Sequence, residues 1–139
     1  MNVFLDAIIL VSVINREYPL YNFSARILSL SQHPGFQLFT SPLNLAIAFC
    51  FAQKKCSTLK AKEKIELIKT HLKITTINSE MVNQAIQNKS VHDFEDGLQY
   101  YSAIESTCNC IVTEDIDDYY FSEIEVISSR DFLMKYLLT

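Results

Sequence analysis

Apolar and polar positions along the chain switch repeatedly between a strand-like and a helix-like period. Asn2, Val3, Phe4 and Leu5 make a short apolar run closed by Asp6, which predicts a buried strand. Residues 7–14 continue apolar at helical density. After the break at Arg16, Glu17, Tyr18 and Pro19, a second helix carries Phe23, Ile27, Leu28 and Leu30 at helical spacing. His33, Pro34 and Gly35 are its stop signals. Residues 36–40 read as a second strand. Ser41 and Pro42 form a helix start, serine as cap and proline at the first helical position. Residues 43–52 are apolar nearly all round, which predicts a buried helix. Ser57 or Thr58 caps the next helix, where most of the lysines lie.

The second half repeats the alternation. Residues 73–77 alternate and are rich in Ile and Thr, a third strand. Asn78 or Ser79 caps a short helix to about Gln87, and Asp93, Phe94, Glu95 and Asp96 open another with acids in its first turn. Residues 111–113 and 125–127 predict the fourth and fifth strands, and Ser128 or Ser129 caps a last helix through Leu138. No repeat or linker interrupts the order. The expected architecture is one α/β domain over residues 1–139, three layers deep, with helices on both faces of a mainly parallel sheet of about five strands.

Composition narrows this further. With 49% hydrophobic and 20% charged residues in 139, the chain can build a core and is unlike a disordered segment. Two Gly and three Pro argue against a loop-rich or all-β scaffold and leave no glycine-rich phosphate loop. No apolar run has the length of a membrane span, so no membrane partner is expected. The apolar start lacks a preceding Lys or Arg and contains Asp6, unlike an export signal, so the expected compartment is the cytoplasm. Cys50, Cys56, Cys108 and Cys110 lack zinc-ligand spacing. Cys50 and Cys110 lie in apolar runs and read as buried small hydrophobes. His33, His71 and His92 are scattered singly and read as surface or capping residues.

Charge is the more informative property. The net charge of −4 gives no bulk attraction to a polyanion, but it is unevenly spread. Residues 93–125 hold ten of the sixteen acids and no Lys or Arg, whereas residues 54–73 hold seven Lys against Glu63 and Glu66. Two solvated faces are the simpler account of such runs. The sharper account is a carboxylate site for a divalent metal beside a lysine surface for a polyanion. In parallel α/β sheets the working crevice lies beyond the carboxyl ends of the strands. Asp6 closes the first strand, Asp115 follows the fourth by two residues, and Asp93 and Asp96 open the helix before that strand. If the first and fourth strands are neighbours, these acids converge. Their mutual repulsion then calls for a cation such as Mg²⁺ or Mn²⁺.

Four segments in this order resemble the PIN-domain family, a metal-dependent ribonuclease fold that includes the VapC-type toxins of bacterial toxin–antitoxin pairs. They are Val3 to Asp6, Phe39 to Leu43, the run Asp93-Phe94-Glu95-Asp96-Gly97-Leu98-Gln99, and Ile111-Val112-Thr113-Glu114-Asp115-Ile116-Asp117-Asp118-Tyr119. The third is similar to a D-F-E-D-A-[LI]-Q motif and the fourth to [IV]-[IV]-T-R-[ND]-x-x-D-F. The resemblance implies that Asp6, Asp96 and Asp115 are metal ligands and catalytic groups, with Asp93 auxiliary and Thr113 and Asp118 supporting. It implies Mg²⁺ or Mn²⁺, an RNA substrate, an antitoxin protein on a separate chain, and a homodimer. Lys54, Lys55, Lys60 and Lys62 are assigned to RNA guidance from charge alone.

Two positions depart from the family pattern. Ile8 stands where a polar residue usually follows the first strand, and Ile47 stands where an acid or Asn is usual. Groups of this kind orient ligands or waters around a metal, and losing one typically costs about 10–100-fold in affinity or activity. Two functions therefore stand side by side. One is a Mg²⁺- or Mn²⁺-dependent endoribonuclease of toxin–antitoxin type. The other is a catalytically degenerate PIN domain that binds RNA or a protein, with Tyr100, Tyr101, Tyr119, Tyr120 and Phe121 as a contact surface. The simpler role for several of these aromatics is to cover the core or a subunit interface.

Overall fold

The computed structural model describes residues 1–137. Its centre is a five-stranded, wholly parallel sheet in the order β3-β2-β1-β4-β5. The strands are β1 (Asn2–Leu5), β2 (Gln37–Thr40), β3 (Lys73–Ile74), β4 (Cys110–Val112) and β5 (Glu125–Ile127). The helices are α1 (Ala7–Ile14), α2 (Leu20–Leu28), α3 (Pro42–Gln53), α4 (Thr58–Lys69), α5 (Ser79–Gln87), α6 (Phe94–Glu105) and α7 (Ser129–Tyr136). Single 3-10 turns follow α2 at Ser29–Gln32 and β4 at Ile116–Tyr119. Among the described residues, no helix is long and apolar enough to cross a membrane.

The period-two alternation of the strands sorts the core into two layers. Val3 and Leu5 of β1, Leu38 of β2, and Cys110 and Val112 of β4 pack on one face with Ile9, Leu10, Ile27, Ala48, Ile68 and Phe132. Their strand neighbours Phe4, Phe39 and Ile111 point to the other face, against Tyr100, Ala103 and Tyr119. Val3, Phe4 and Leu5 are all fully buried, as a central strand covered on both sides must be. Of the five aromatics offered as a contact surface, Tyr100 and Tyr119 are core residues, and Tyr120 is the exposed one.

Local capping signals settle where the helices begin. The Ser41 hydroxyl accepts from the Asn44 N–H with Pro42 just inside the helix, and Ser57, Asn78, Asp93 and Ser128 cap α4, α5, α6 and α7 in the same way. Three expectations need correction. The third strand ends at Ile74, not residue 77: Thr75 still bonds the Thr40 carbonyl, but its hydroxyl and the Thr76 carbonyl turn to the Ser102 hydroxyl of α6. α3 is not buried all round. Asn44, Ala48 and Ala52 form a narrow buried stripe that packs on α1 and α4, while Phe51 is 41% exposed. Cys50 lies on the outer side of the same helix and is exposed, whereas Cys110 is buried. The predicted last helix reaches Leu138, which lies outside the described residues; α7 runs to Tyr136.

Candidate functional site

The order β3-β2-β1-β4-β5 reverses direction between β1 and β4, where the connections leave toward opposite edges of the sheet. Such a switch point leaves a crevice outside the strand ends. Asp6 follows β1 there, its N–H donating to the Val112 carbonyl at 3.1 Å, and Thr113 follows β4. The chain then turns so that the Asp115 N–H donates to the Thr113 hydroxyl at 3.0 Å. From the other side, α6 presents its first turn.

A cleft of about 160 Å³ results, lined by Asp6, Asp96, Asp115, Asp118 and Glu95 together with Ala7, Ile8, Val11, Ile47 and Phe51. Five carboxylates meet five apolar side chains, and no Lys or Arg lines the space. The Asp6 carboxylate is the best held. Its Oδ1 accepts from the Ala7 N–H at 2.9 Å, its Oδ2 from the Thr113 hydroxyl at 2.7 Å, and the Tyr119 hydroxyl reaches Oδ1 at 3.4 Å. Behind it lies a closed polar network. Asn44 donates to the Leu5 carbonyl at 3.1 Å, Gln99 donates to Asn44 at 2.7 Å, and Ser41 donates to Gln99 at 2.5 Å, all fully or almost fully buried. This network ties the end of β1, the start of α3 and the second turn of α6, so the elements bearing Asp6 and Asp96 are joined through satisfied bonds.

Electrostatics mark the cleft as short of positive charge. Burial and then the charges of Asp93, Asp118, Asp6 and Glu95 push the Asp96 carboxyl up to about 7. Asp6 is also raised, chiefly by burial, although its hydrogen bonds from Thr113 and Ala7 pull the other way. Glu95 and Asp118 are raised by partial burial and by their acidic neighbours. The ion pairs found among the described residues, Lys55–Glu17, Lys69–Glu66 and Lys135–Glu125, involve none of these acids.

Of the acids singled out from sequence, Asp6, Asp96, Asp115 and Asp118 come together and Asp93 does not line the cleft. Its carboxylate is spent as the α6 cap, accepting from the Glu95 N–H at 2.9 Å and the Asp96 N–H at 3.4 Å. Thr113 stands behind Asp6. The lysines spread apart: Lys54 lies over the Phe51 ring, Lys55 pairs with Glu17 at 3.8 Å, and Lys60 and Lys62 are exposed on α4. Sequence reasoning missed Glu95, Phe51 and Tyr119 as neighbours of the site. Glu95 sits inside the acidic motif, Phe51 is one helical turn after Ile47, and Tyr119 puts a hydroxyl where the resembled motif ends in Phe.

The donor set suits a hard divalent cation: carboxylate oxygens, no competing ammonium, and acids whose repulsion a cation relieves. Among the described residues, no three His, Cys, Asp or Glu side chains form a ready-made cage. Mg²⁺ needs none, since it commonly takes one or two carboxylates and keeps several waters.

A family model described as the PIN domain matches residues 2–117. Ribonuclease VapC1 of Aquifex aeolicus (strain VF5) is 26% identical over 134 residues, covering 94% of this chain and 92% of the relative. Among solved structures, VapBC2 from Rickettsia felis, bound to a DNA fragment from its promoter, superposes with a TM-score of 0.68 at 17% identity, over 92% of this chain and 98% of that one. VapC20 of Mycobacterium tuberculosis, a sarcin-ricin-loop-cleaving toxin, gives 0.68 at 15% identity, over 89% and 98%. The two structures establish the likeness of fold.

Proposed function

The chain belongs to the PIN-domain family, and from that premise we propose that it is a divalent-metal-dependent endoribonuclease, the toxin partner of a toxin–antitoxin pair. The observation that carries this reading is the convergence of Asp6, Asp96, Asp115 and Asp118 on one cleft with no basic residue in its lining. The similarity to Ribonuclease VapC1 over nearly the whole chain supports the reaction class. The VapBC2 structure, a complex by its name, supports an antitoxin protein as partner. Cytoplasmic action and a homodimer belong to the same proposal.

Asp6, Asp96 and Asp115 would hold the cation in this reading, with Asp118 and Glu95 lining the same cleft. Mg²⁺ or Mn²⁺ held there would supply an activated water for phosphodiester hydrolysis and would offset negative charge on the phosphate oxygens. Thr113 and the Ala7 N–H keep the Asp6 carboxylate in one rotamer, so little ordering remains to be done when the cation arrives. Asp93 acts at one remove, by fixing the first turn of α6. Lys54 at the rim is the lysine best placed to meet the RNA backbone, because Phe51 beneath it lines the cleft.

A specific observation favours a second reading. Ile8 and Ile47 both line the cleft, so the two polar positions lost from the family pattern are lost at the site itself. A degenerate PIN domain that binds RNA or a protein without cutting it fits those substitutions. Calorimetric titration of Mn²⁺ and Mg²⁺ into the wild type and Asp96→Asn separates the two. Saturable wild-type binding, weakened at least about 100-fold in the variant, supports the nuclease. A wild type that takes up no metal to millimolar concentration overturns it in favour of the binding module.

A further inference from the structure

The apolar half of the cleft has a use of its own. Ile47, Phe51 and Lys54 fall at i, i+4 and i+7 along the end of α3, so they share one helix face. Ile8 and Val11 of α1 continue that surface, and the carboxylates stand across from it. Phe51 is 41% exposed, and the Lys54 ammonium lies 4.7 Å from its ring centroid. We propose that this rim is the subsite for one unpaired nucleotide of the RNA, its base packed on Phe51, Ile47 and Ile8 and its phosphate met by Lys54.

The inference rests on the nuclease reading for its substrate class and adds which part of the substrate goes where. At about 160 Å³ the cleft is smaller than the roughly 300–1,000 Å³ that encloses a whole small molecule, so it cradles a fragment such as one base. A base inside a duplex has both faces stacked and cannot lie on Phe51, whereas an unpaired one can. The wall formed by Ile8, Val11, Ile47 and Phe51 carries no side-chain hydrogen-bonding group, so it grips the face of a base without reading its edge. Lys54 supplies positive charge at the rim of a cleft whose acids would otherwise repel the backbone. The isoleucines that depart from the family pattern thus become contacts for substrate.

The test is fluorescence anisotropy of a short fluorescein-labelled single-stranded oligoadenylate, in EDTA at low salt, so that no cleavage intervenes. Phe51→Leu is expected to weaken binding about 5- to 20-fold, the size of one lost base–aromatic stack, and Phe51→Tyr to keep wild-type affinity. Lys54→Gln is expected to lower the slope of log K against log salt by about 0.7, one phosphate contact on a single strand. The same strand annealed to its complement is expected to bind more weakly. Phe51 is surface-exposed, and a melting curve of each variant checks that it folds. Phe51→Leu binding within twofold of wild type, or a duplex bound as tightly as the single strand, overturns the subsite. A wild type that binds Mn²⁺ but no RNA overturns the subsite and leaves the metal site standing; one that binds neither removes both.

Discussion

Two hollows in this molecule invite opposite conclusions. The larger, about 610 Å³, lies between α1, α2 and α4 and is lined by Val13, Ile14, Leu28, Leu67 and Ile68 with Arg16, Lys55, Lys64 and His71. The smaller, about 160 Å³, holds five carboxylates and no base. Size favours the first, but the acids gather in the second. Lys55 already has Glu17 at 3.8 Å, and His71 already has the Ser31 hydroxyl at 2.8 Å. No Lys or Arg lines the small cleft, and burial, then the charges of the neighbouring acids, push Asp96 up to about 7. An uncompensated cluster of like charge at a strand-order switch identifies a site better than volume does.

The sharpest way to break that contrast is to restore polarity to the cleft. Ile47→Glu returns an acid to the position where the family pattern has one, and is expected to tighten Mn²⁺ binding about 10- to 100-fold by calorimetry. An unchanged affinity means that Ile47 does not face the cation.

The next effect needs no metal. A carboxyl whose folded value is raised holds its proton longer in the folded than in the unfolded state. Stability therefore falls as pH rises from about 4 through about 7, the opposite of a salt-bridged Asp. Asp96 is only half-buried, so solvent screening limits the loss to roughly 1–2 kcal/mol. Urea unfolding in EDTA is expected to show the wild type more stable at pH 5 than at pH 8, and Asp96→Asn to remove most of that slope. Equal slopes in the two proteins place the strain elsewhere.

The smallest effect is the control. Lys64→Gln, in the large cavity, is expected to change Mn²⁺ affinity less than about twofold, because the cavity and the cleft share no lining residue. A larger change would mean that the two hollows are coupled.

Much of the fold was readable because its determinants are local. Capping residues announce a helix within three positions of its start, which is why Ser41, Ser57, Asn78, Asp93 and Ser128 were found. The central strand was readable because Val3, Phe4 and Leu5 leave no face to solvent. The candidate acids were readable because strand ends are where such sheets place their chemistry. Resemblance to a known family joined these pieces into one site.

What the chain alone determined is therefore its alternation of strands and helices, its caps, and the acids at the strand ends, since each depends on neighbours a few residues away. Tertiary structure decided the rest. Only packing shows that α3 buries just Asn44, Ala48 and Ala52 as a stripe and turns Ile47 and Phe51 into the cleft. Only the fold separates Asp93, bound to its own helix, from Asp96, which lines the cleft, and puts Lys54 over the Phe51 ring while Lys60 and Lys62 stay exposed on α4. The physical reason is the same throughout. A side chain's type and period follow from the sequence, but its partner is chosen by whichever distant element arrives beside it, as Gln99 is by Ser41 and Asn44.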